Sequence, residues 1–460
     1  MSTTRIEKDS MGELEVPKDA LYAAQTQRAI NNFPVSGQTM PKAFVRALLL
    51  AKSAAAEANG QLGFIPDEMA GAICTSVDEL LTEDYMNHFP VDIFQTGSGT
   101  SSNMNANEVL ATLASQRFGD KVGANDHINY GQSSNDIIPS TIHISAAIEL
   151  EHKLLPALNY LVAGIREKAA EVDQFVKTGR THLMDAMPIR MSHSLNAWAD
   201  QIEQNIQNLK QLQPSLQSLA QGGTAVGTGI NADPEFAIAF NHALSSKTGI
   251  TFTSAKNFFT HIGSQDIAVA LSGQLKTTAV SIMKIANDLR WMNSGPLSGL
   301  GEIELEALQP GSSIMPGKVN PVIPEAATMV AAQVMGNDTT ITIAGQSGNF
   351  ELNVMLPLVA SNLLESIELL SNISHLLLDK AIKTFVVKED KLKEALSKNP
   401  ILVTALNPII GYLKAAEIAK LAYKEGRPII DVAAENTDLS REELQRLLDP
   451  AKLTAGGVQS

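Results

Sequence analysis

The sequence has little cysteine: Cys74 is the only one among 460 residues. One thiol excludes an internal disulfide, a structural zinc site of several thiolates, and an iron–sulfur cluster with the usual cysteine ligands. Long apolar runs are also missing, since no window reaches about eighteen uncharged apolar residues and the first ten residues lack the apolar core of a signal peptide. We therefore expect a soluble cytoplasmic protein that neither crosses nor binds a membrane.

Basic and aromatic residues are scarce as well. Lys and Arg number 35 against 49 Asp and Glu, which gives a formal net charge of −14. Because phosphate backbones are bound by clustered Lys and Arg, this balance argues against a nucleic-acid partner. It does not exclude a small acidic substrate, since one lysine in a cleft can reverse the local field. The plentiful Ala, Leu, Ile, Gln and Lys favour helix.

Apolar residues recur at spacings of three and four over several long segments, which is the pattern of helices buried on one face. We expect long helices over residues 136–171, 192–220 (bent or broken at Pro214), 265–292, 321–346 and 356–377. Helices of this length, roughly 40 to 50 Å at 1.5 Å per residue, require an elongated bundle. Several carry small or apolar residues beyond one face, so a symmetric oligomer built through the bundle is expected.

The pattern along the chain predicts three domains. Residues 1–137 are mixed and mostly helical, residues 138–385 form the central long-helix bundle, and residues 386–460 form a small helical C-terminal domain. In the last of these, Ser440 and Glu443 are spaced as a capping box before an apolar run.

The stretch from Gly311 to Glu325 reads Gly-Ser-Ser-Ile-Met-Pro-Gly-Lys-Val-Asn-Pro-Val-Ile-Pro-Glu. It ends a long irregular span, and such spans are usually functional lids or disordered linkers. This one combines two hydroxyls, an ammonium and an amide with Gly and Pro turns, and Asn320 is placed to cap a helix whose first residue is Pro321. We interpret it as a mobile anion-binding loop.

Three further polar stretches, 97–107, 132–136 and 178–185, also lie where long helices begin or end. Each has a simpler structural explanation: Ser133 is placed as an N-cap, and a lone histidine such as His182 is more often structural than catalytic. Their repeated coincidence with helix N-termini nevertheless indicates carboxylate binding.

These stretches together resemble the class II fumarases of the fumarase/aspartase superfamily. The family signature Gly-Ser-Ser-x-Met-Pro-x-Lys-x-Asn-Pro is complete at 311–321, and blocks similar to those of the family begin at Gly97, Gln132, Gly179, Ser281 and Gly348, in the family's order. The resemblance implies a mainly α, three-domain fumarase/aspartase-like fold. It also implies a homotetramer with a twenty-helix core, and active sites shared between three subunits.

The resemblance further implies reversible anti addition of water to fumarate, giving (S)-malate in the tricarboxylic acid cycle, with no metal and no cofactor. By this likeness Ser312 is the C–H base, His182 paired with Glu325 handles the proton of the leaving hydroxyl, and Lys318 and Asn320 stabilise the developing charge. The reverse assignment, with His182 as the C–H base, stays open. The implied substrate-binding set is Ser98, Gly99, Thr100, Ser133, Ser134, Asn135, Thr181, Ser313, Lys318, Val319 and Asn320.

The chain departs from the family at a second anion site. The aligned run is Gly123, Ala124, Asn125 and Asp126, without the usual histidine, and Tyr130 stands where a lysine is usual. Two other functions remain open. An aspartate ammonia-lyase of the same superfamily is suggested by the run from Asn320 to Glu325, although those enzymes usually have Gly-Ala-Gly-Thr where this chain has Ser98. A non-catalytic structural protein on the same scaffold would show no turnover.

Overall fold

The computed structural model describes residues 3–458. The fold is mainly helical, with 63% of the described residues in helices, which confirms the prediction of a mainly α fold. The α-helices are α1 Ala24–Asn32, α2 Lys42–Gln61, α3 Asp67–Leu80, α4 Thr100–Phe118, α5 Ser134–Glu149, α6 Leu155–Glu171, α7 Met191–Leu216, α8 Phe236–Thr248, α9 Phe258–Gly263, α10 Asp266–Met292, α11 Val322–Gly345, α12 Leu356–Leu377, α13 Glu389–Lys398, α14 Asn407–Ile410, α15 Tyr412–Glu425, α16 Ile429–Asn436, α17 Arg441–Leu447 and α18 Pro450–Leu453.

The strands are short and pair only in twos among the described residues. They are β1 Thr4–Asp9, β2 Gly12–Pro17, β3 Val176–Thr181, β4 Met184–Arg190, β5 Ser218–Leu219, β6 Thr253–Ser254, β7 Ile303–Glu304, β8 Gly348–Asn349, β9 Leu352–Asn353 and β10 Val386–Val387. β1 with β2, β3 with β4, and β8 with β9 form antiparallel hairpins, β7 pairs antiparallel with β10, and β5 pairs parallel with β6.

The long helices lie close to the predicted segments, with two differences. The first segment is α5 and α6 joined by a π-helical turn over Leu150–Leu154. α7 continues through Pro214 and ends at Leu216, so this proline lies in the last turn and does not break the helix.

The chain divides into two compact units. Unit 1 comprises residues 1–156, 205–279 and 331–371. Its core surrounds α2, which packs against α3, α5 and α8 and is buried along most of its length because its Ala and Leu residues occupy every face.

Unit 2 comprises residues 157–204, 280–330 and 372–460. Within it the β3–β4 hairpin packs against α13 and α18, and α15, α16 and α17 share a small apolar core that includes Leu406, Val432 and Leu444. The predicted capping box at Ser440 and Glu443 is present at the start of α17. The three-domain division at residues 137 and 385 stays a prediction.

Among residues 3–458, no helix combines the length and the apolar character that a membrane span requires.

Candidate active site

The N-termini of α4 and α5 meet in unit 1. Asn103, in the first turn of α4, donates from Nδ2 to Ser134 Oγ over 3.0 Å. Gly99, the N-cap of α4, has φ 72°, and a Cβ placed there would lie 2.8 Å from the Ile138 side chain. Only glycine accepts both this left-handed backbone and this close approach. Since a helix N-terminus offers free N–H groups and partial positive charge, two of them together suit a carboxylate.

Several of the predicted polar residues lie on these two N-termini. The side-chain oxygens of Ser98 and Thr100 lie 2.9 Å apart on either side of Gly99. Asn135 donates from Nδ2 to the carbonyl oxygen of Ala225 over 2.8 Å. The predicted residues in this unit 1 cluster are Ser98, Gly99, Thr100, Ser133, Ser134 and Asn135.

Ser133 also has its predicted structural role. It forms a capping box with Asp136, because the Asp136 carboxylate accepts from the Ser133 backbone N–H over 2.9 Å. The other Asp136 oxygen accepts from Gln221 Nε2 and from the backbone N–H groups of Gly222 and Thr224. Burial raises the pKa of Asp136 to about 6, against the opposing effect of these hydrogen bonds. The carboxylate thereby joins the loop at 221–225 to the start of α5.

Lys52, on α2 in unit 1, is fully buried. Its Nζ donates to Asn129 Oδ1 over 3.0 Å and to Gln132 Oε1 over 2.8 Å. Burial lowers the pKa of Lys52 to about 7, and the charge of Asp136 opposes that shift.

The residues of the predicted second anion site form a turn that leads toward Asn129. Ala124–Ile128 is a π-helical turn, and Asn125 and Asp126 are exposed in it. The backbone N–H of Gly123 donates to His127 Nδ1 over 2.8 Å, so this histidine is engaged within the turn. Anion binding here stays a prediction.

In unit 2 the loop from Gly311 to Asn320 is closed by its own hydrogen bonds. The backbone N–H of Gly311 donates to the Lys318 carbonyl over 2.8 Å, and Asn320 Nδ2 donates to the Gly311 carbonyl over 2.7 Å. Lys318 Nζ donates to Asn320 Oδ1 over 2.9 Å, which holds the ammonium and the amide side by side.

The prediction that the Asn320 side chain caps α11 is wrong, because both ends of its amide are used inside the loop. The Pro321 carbonyl accepts the helix bond from Glu325 N, so Pro321 is the N-cap rather than the first helical residue.

Ser312 is held differently from the other loop residues. Its Oγ accepts from the backbone N–H of Met315 over 3.0 Å and, more weakly, from that of Ile314 over 3.3 Å. Hydrogen bonds from N–H groups stabilise negative charge on an oxygen. Ser313 and Val319 lie exposed on the same loop.

Thr181 and His182 lie at the tip of the β3–β4 hairpin in unit 2. His182 and Leu183 form its two-residue turn with φ 55° and 61°, the pattern of a type I′ turn, although neither is a glycine or asparagine. Backbone strain of this kind collects at functional sites. Within residues 3–458, neither the His182 ring nor the Glu325 carboxylate has a hydrogen-bond or ion-pair partner.

Strand β3 of the hairpin is anchored by a buried ion cluster. Glu302 accepts from Lys177 Nζ over 2.5 Å and from Arg180 Nη1 over 2.7 Å. Only 4% of the Glu302 side chain is exposed, so both contacts are screened from water. The strand that leads to His182 is therefore held by ion pairs up to Arg180, two residues before His182.

A cleft of about 1230 Å³ in unit 2 includes part of the loop. Lys318, Val319, Asn320 and Glu325 line it, together with Arg290 and residues 387–391. The cleft carries both basic and acidic side chains, with Lys388 paired to Glu304. It thus gathers the loop's ammonium and amide with the start of α11.

Comparison with known proteins decides the family. A model of the family described as "Lyase" matches residues 12–336, and one described as "Fumarase C C-terminus" matches residues 402–455. A fumarate hydratase class II from Pseudomonas aeruginosa is 70% identical over 458 residues, with all of both chains covered. The chain belongs to the class II fumarate hydratase family. Another member, from Xylella fastidiosa, is 58% identical and covers 99% of this chain and 96% of its own.

Solved structures of the family have the same fold. The crystal structure of a class II fumarase from Schistosoma mansoni superposes with a TM-score of 0.95 at 37% identity, covering 98% of this chain and 99% of its own. The whole described fold is therefore that of a class II fumarate hydratase.

Sequence reasoning missed three parts of the unit 1 cluster: Lys52, Asn129 and the loop at 221–225. Lys52 leaves a recognisable signal, because Leu48, Leu49, Ala55 and Ala56 surround it at helical spacing and place a charge on an apolar face. The loop at 221–225 contributes the Gln221 side chain and the backbone N–H groups of Gly222 and Thr224, and the backbone donors leave no side-chain signal.

Proposed function

We propose that this chain catalyses the reversible anti addition of water to fumarate, giving (S)-malate, as a cofactor-independent hydro-lyase of the tricarboxylic acid cycle. Membership of the class II fumarate hydratase family supports this reaction. The observation that carries its chemistry is Ser312, whose Oγ accepts from two backbone N–H groups on the loop that also holds Lys318 and Asn320.

The reaction dictates which groups are needed. Removing the proton from the carbon beside a carboxylate of malate places a second negative charge on that carboxylate, and donors aimed at it lower the barrier. We assign Lys318 and Asn320 to this task, with the backbone of the Ser312 and Ser313 loop. The bond from Lys318 to Asn320 supports the assignment because it keeps the two groups at one end of the cleft.

Ser312 is the proposed base for the C3 proton. A serine hydroxyl is a poor base at its ordinary pKa and needs an environment that stabilises the alkoxide. The two N–H groups on its Oγ supply part of that environment. We assign a further part to the Lys318 ammonium, which is carried by the same loop.

The unit 1 cluster is the proposed binding site for the substrate carboxylates. Ser98, Thr100, Ser133, Ser134 and Asn135 offer hydroxyl and amide groups at two helix N-termini, where the partial positive charge favours a dianion. Gly99 and Val319 contribute backbone, and Thr181 adds a hydroxyl from the hairpin.

His182 and Glu325 are the proposed pair that delivers a proton to the leaving hydroxyl. A carboxylate beside an imidazole raises its basicity and fixes its tautomer. Since neither group is paired within the described part of one chain, we propose that the pair forms between subunits of a homotetramer. Each active site would then draw residues from three subunits. Exposed apolar residues on the long helices, such as Val280, Met329 and Ile343, support this assembly.

The deciding experiment follows the ultraviolet absorbance of fumarate with purified protein and either (S)-malate or L-aspartate. Fumarate from malate alone is expected. Fumarate from aspartate alone would instead establish an ammonia-lyase, and no fumarate from either would point to a structural protein. A cytoplasmic location stays a prediction from the single cysteine.

A further inference from the structure

We propose that Lys52 is a positioning residue for the substrate, which orients the Ser134 hydroxyl toward a bound carboxylate through two asparagine side chains. The inference rests on the proposed function, because it assigns a carboxylate to Ser134. It extends that function to a lysine that touches none of the residues proposed to contact substrate.

The chain of contacts begins with a group that can only donate. In its ammonium form Lys52 has no acceptor, so the atom of Asn129 that faces it must be the carbonyl oxygen. The same Oδ1 also accepts from Asn103 Nδ2 over 3.1 Å and from Asn107 Nδ2 over 3.2 Å. Lys52 thereby fixes the orientation of the side-chain amides of Asn129, Asn103 and Asn107.

The orientation of the Asn103 amide determines how the Ser134 hydroxyl is used in hydrogen bonding. Its Nδ2 donates to Asn129 Oδ1 and, with its other hydrogen, to Ser134 Oγ over 3.0 Å. Because Ser134 Oγ already accepts this hydrogen, its own O–H is left to donate. A carboxylate accepts only, so a hydroxyl set as a donor is the form that binds it.

Lys52 acts on the backbone of the same segment through Gln132. The Gln132 side-chain oxygen accepts from Lys52, which turns Nε2 toward the carbonyl oxygens of Ile128 and Tyr130 at 3.1 and 3.2 Å. This fixes the turn that precedes Ser133 and Ser134. A cation with no exposed surface, held by two neutral amides, is costly to bury, and such a cost is retained where it serves a site.

The test replaces Lys52 by methionine, which keeps the shape of the stem and removes the donor. If Ser134 holds a carboxylate equally in ground state and transition state, the KM for malate and the inhibition constant of succinate, a saturated dicarboxylate, both rise about tenfold while kcat changes less than about twofold. That tenfold change corresponds to about 1.4 kcal/mol of binding.

Lys168→Met is the matched control. Lys168 is also a buried helical lysine, and it is paired with Glu171 and the Lys383 carbonyl within unit 2, whereas the cluster belongs to unit 1. It should lower the melting temperature and leave both constants unchanged. An equal rise in both variants, or a Lys52→Met enzyme with lower stability and unchanged constants, would overturn the proposal.

Asn103→Leu tests the same connection from its other end and covers the case in which Lys52→Met does not fold. It should raise the same two constants, and an unchanged KM would contradict the proposal. Where all variants fold, the double variant Lys52→Met with Asn103→Leu should bind malate and succinate as tightly as the single variant with the lower affinity. Both changes break the same chain of contacts, so their effects should not add. Wild-type protein without malate turnover would instead refute the proposed function, and direct binding of succinate would still report on Lys52.

Discussion

Two backbone N–H groups give the Ser312 oxygen surroundings that an exposed serine would lack. General-base catalysis contributes roughly 10²- to 10⁴-fold. We therefore expect Ser312→Ala to lower kcat by about that factor, with little change in melting temperature because the loop is largely exposed. Steady-state kinetics with malate measures this. Ser313→Ala is the control, and it should act mainly on KM. If the two variants lost activity equally through KM, Ser312 would be a binding residue and His182 the better candidate base.

His143 gives a pH-dependent stability. It is buried in unit 1 with Nδ1 3.0 Å from the Ser218 carbonyl oxygen and its ring 5.5 Å from that of His261. Burial, and next the neighbouring His261, lower the pKa of His143 from 6.5 to about 4. The unfolded chain therefore binds the proton first, so this contribution to the free energy of unfolding is complete above pH 6.5 and is lost as pH falls through about 4.

Urea unfolding of His143→Gln should show a weaker loss of stability between pH 6.5 and 4 than wild type, by up to about 1.4 kcal/mol per pH unit. Asp136 acts with the opposite sign, because its pKa is raised to about 6 and its contribution is lost as pH rises through that value. Both proteins contain Asp136, so the difference between them isolates His143. If the two proteins lost stability in parallel between pH 6.5 and 4, His143 would not be the group whose protonation destabilises the fold.

At the scale of elements, the β3–β4 hairpin depends on Glu302. Removing one partner of a buried ion cluster typically costs about 3 to 5 kcal/mol, because the remaining charge is left unpaired. Glu302→Gln should destabilise the protein by roughly that amount in denaturant unfolding, and should also lower kcat as His182 loses its anchor. Glu304→Gln, two residues along, is the matched control: its pair with Lys388 is exposed and should contribute about 1 kcal/mol or less. Similar losses in both variants would contradict this account.

Local sequence was enough to predict some features of the helices and loops but not others. The bounds of α10 and α12, the capping box at Ser440 and the N-cap at Ser133 follow from apolar spacing and side-chain chemistry within one turn, and all were predicted. Asn320 was assigned the wrong structural role because its partners, Gly311 and Lys318, are loop residues whose approach no local pattern encodes.

The unit 1 cluster also contains contacts that local sequence does not predict. Ser98 and Ser134 could be named from motifs, whereas Lys52 is joined to Asn129 across 77 positions of chain. Such contacts depend on packing between helices, which periodicity alone does not specify.

At the scale of the whole molecule, we expect a homotetramer through the exposed apolar residues of the long helices. Met329, on α11, is 67% exposed in the single chain. Met329→Glu should shift the mass measured by light scattering toward smaller species and abolish turnover, since a charge in an apolar interface is not solvated. Tyr423→Glu, at an 82% exposed position on α15, should leave both unchanged. A monomeric wild type with full activity would exclude shared active sites.

His182 and Glu325, unpaired within one described chain, have a genetic consequence. If each active site takes Ser312 and His182 from different polypeptides, two inactive alleles can complement one another. Refolding Ser312→Ala together with His182→Asn should produce mixed tetramers in which some sites receive neither lesion, and turnover should return to a fraction of the wild-type value. In a cell carrying both alleles, two loss-of-function mutations would yield a working enzyme.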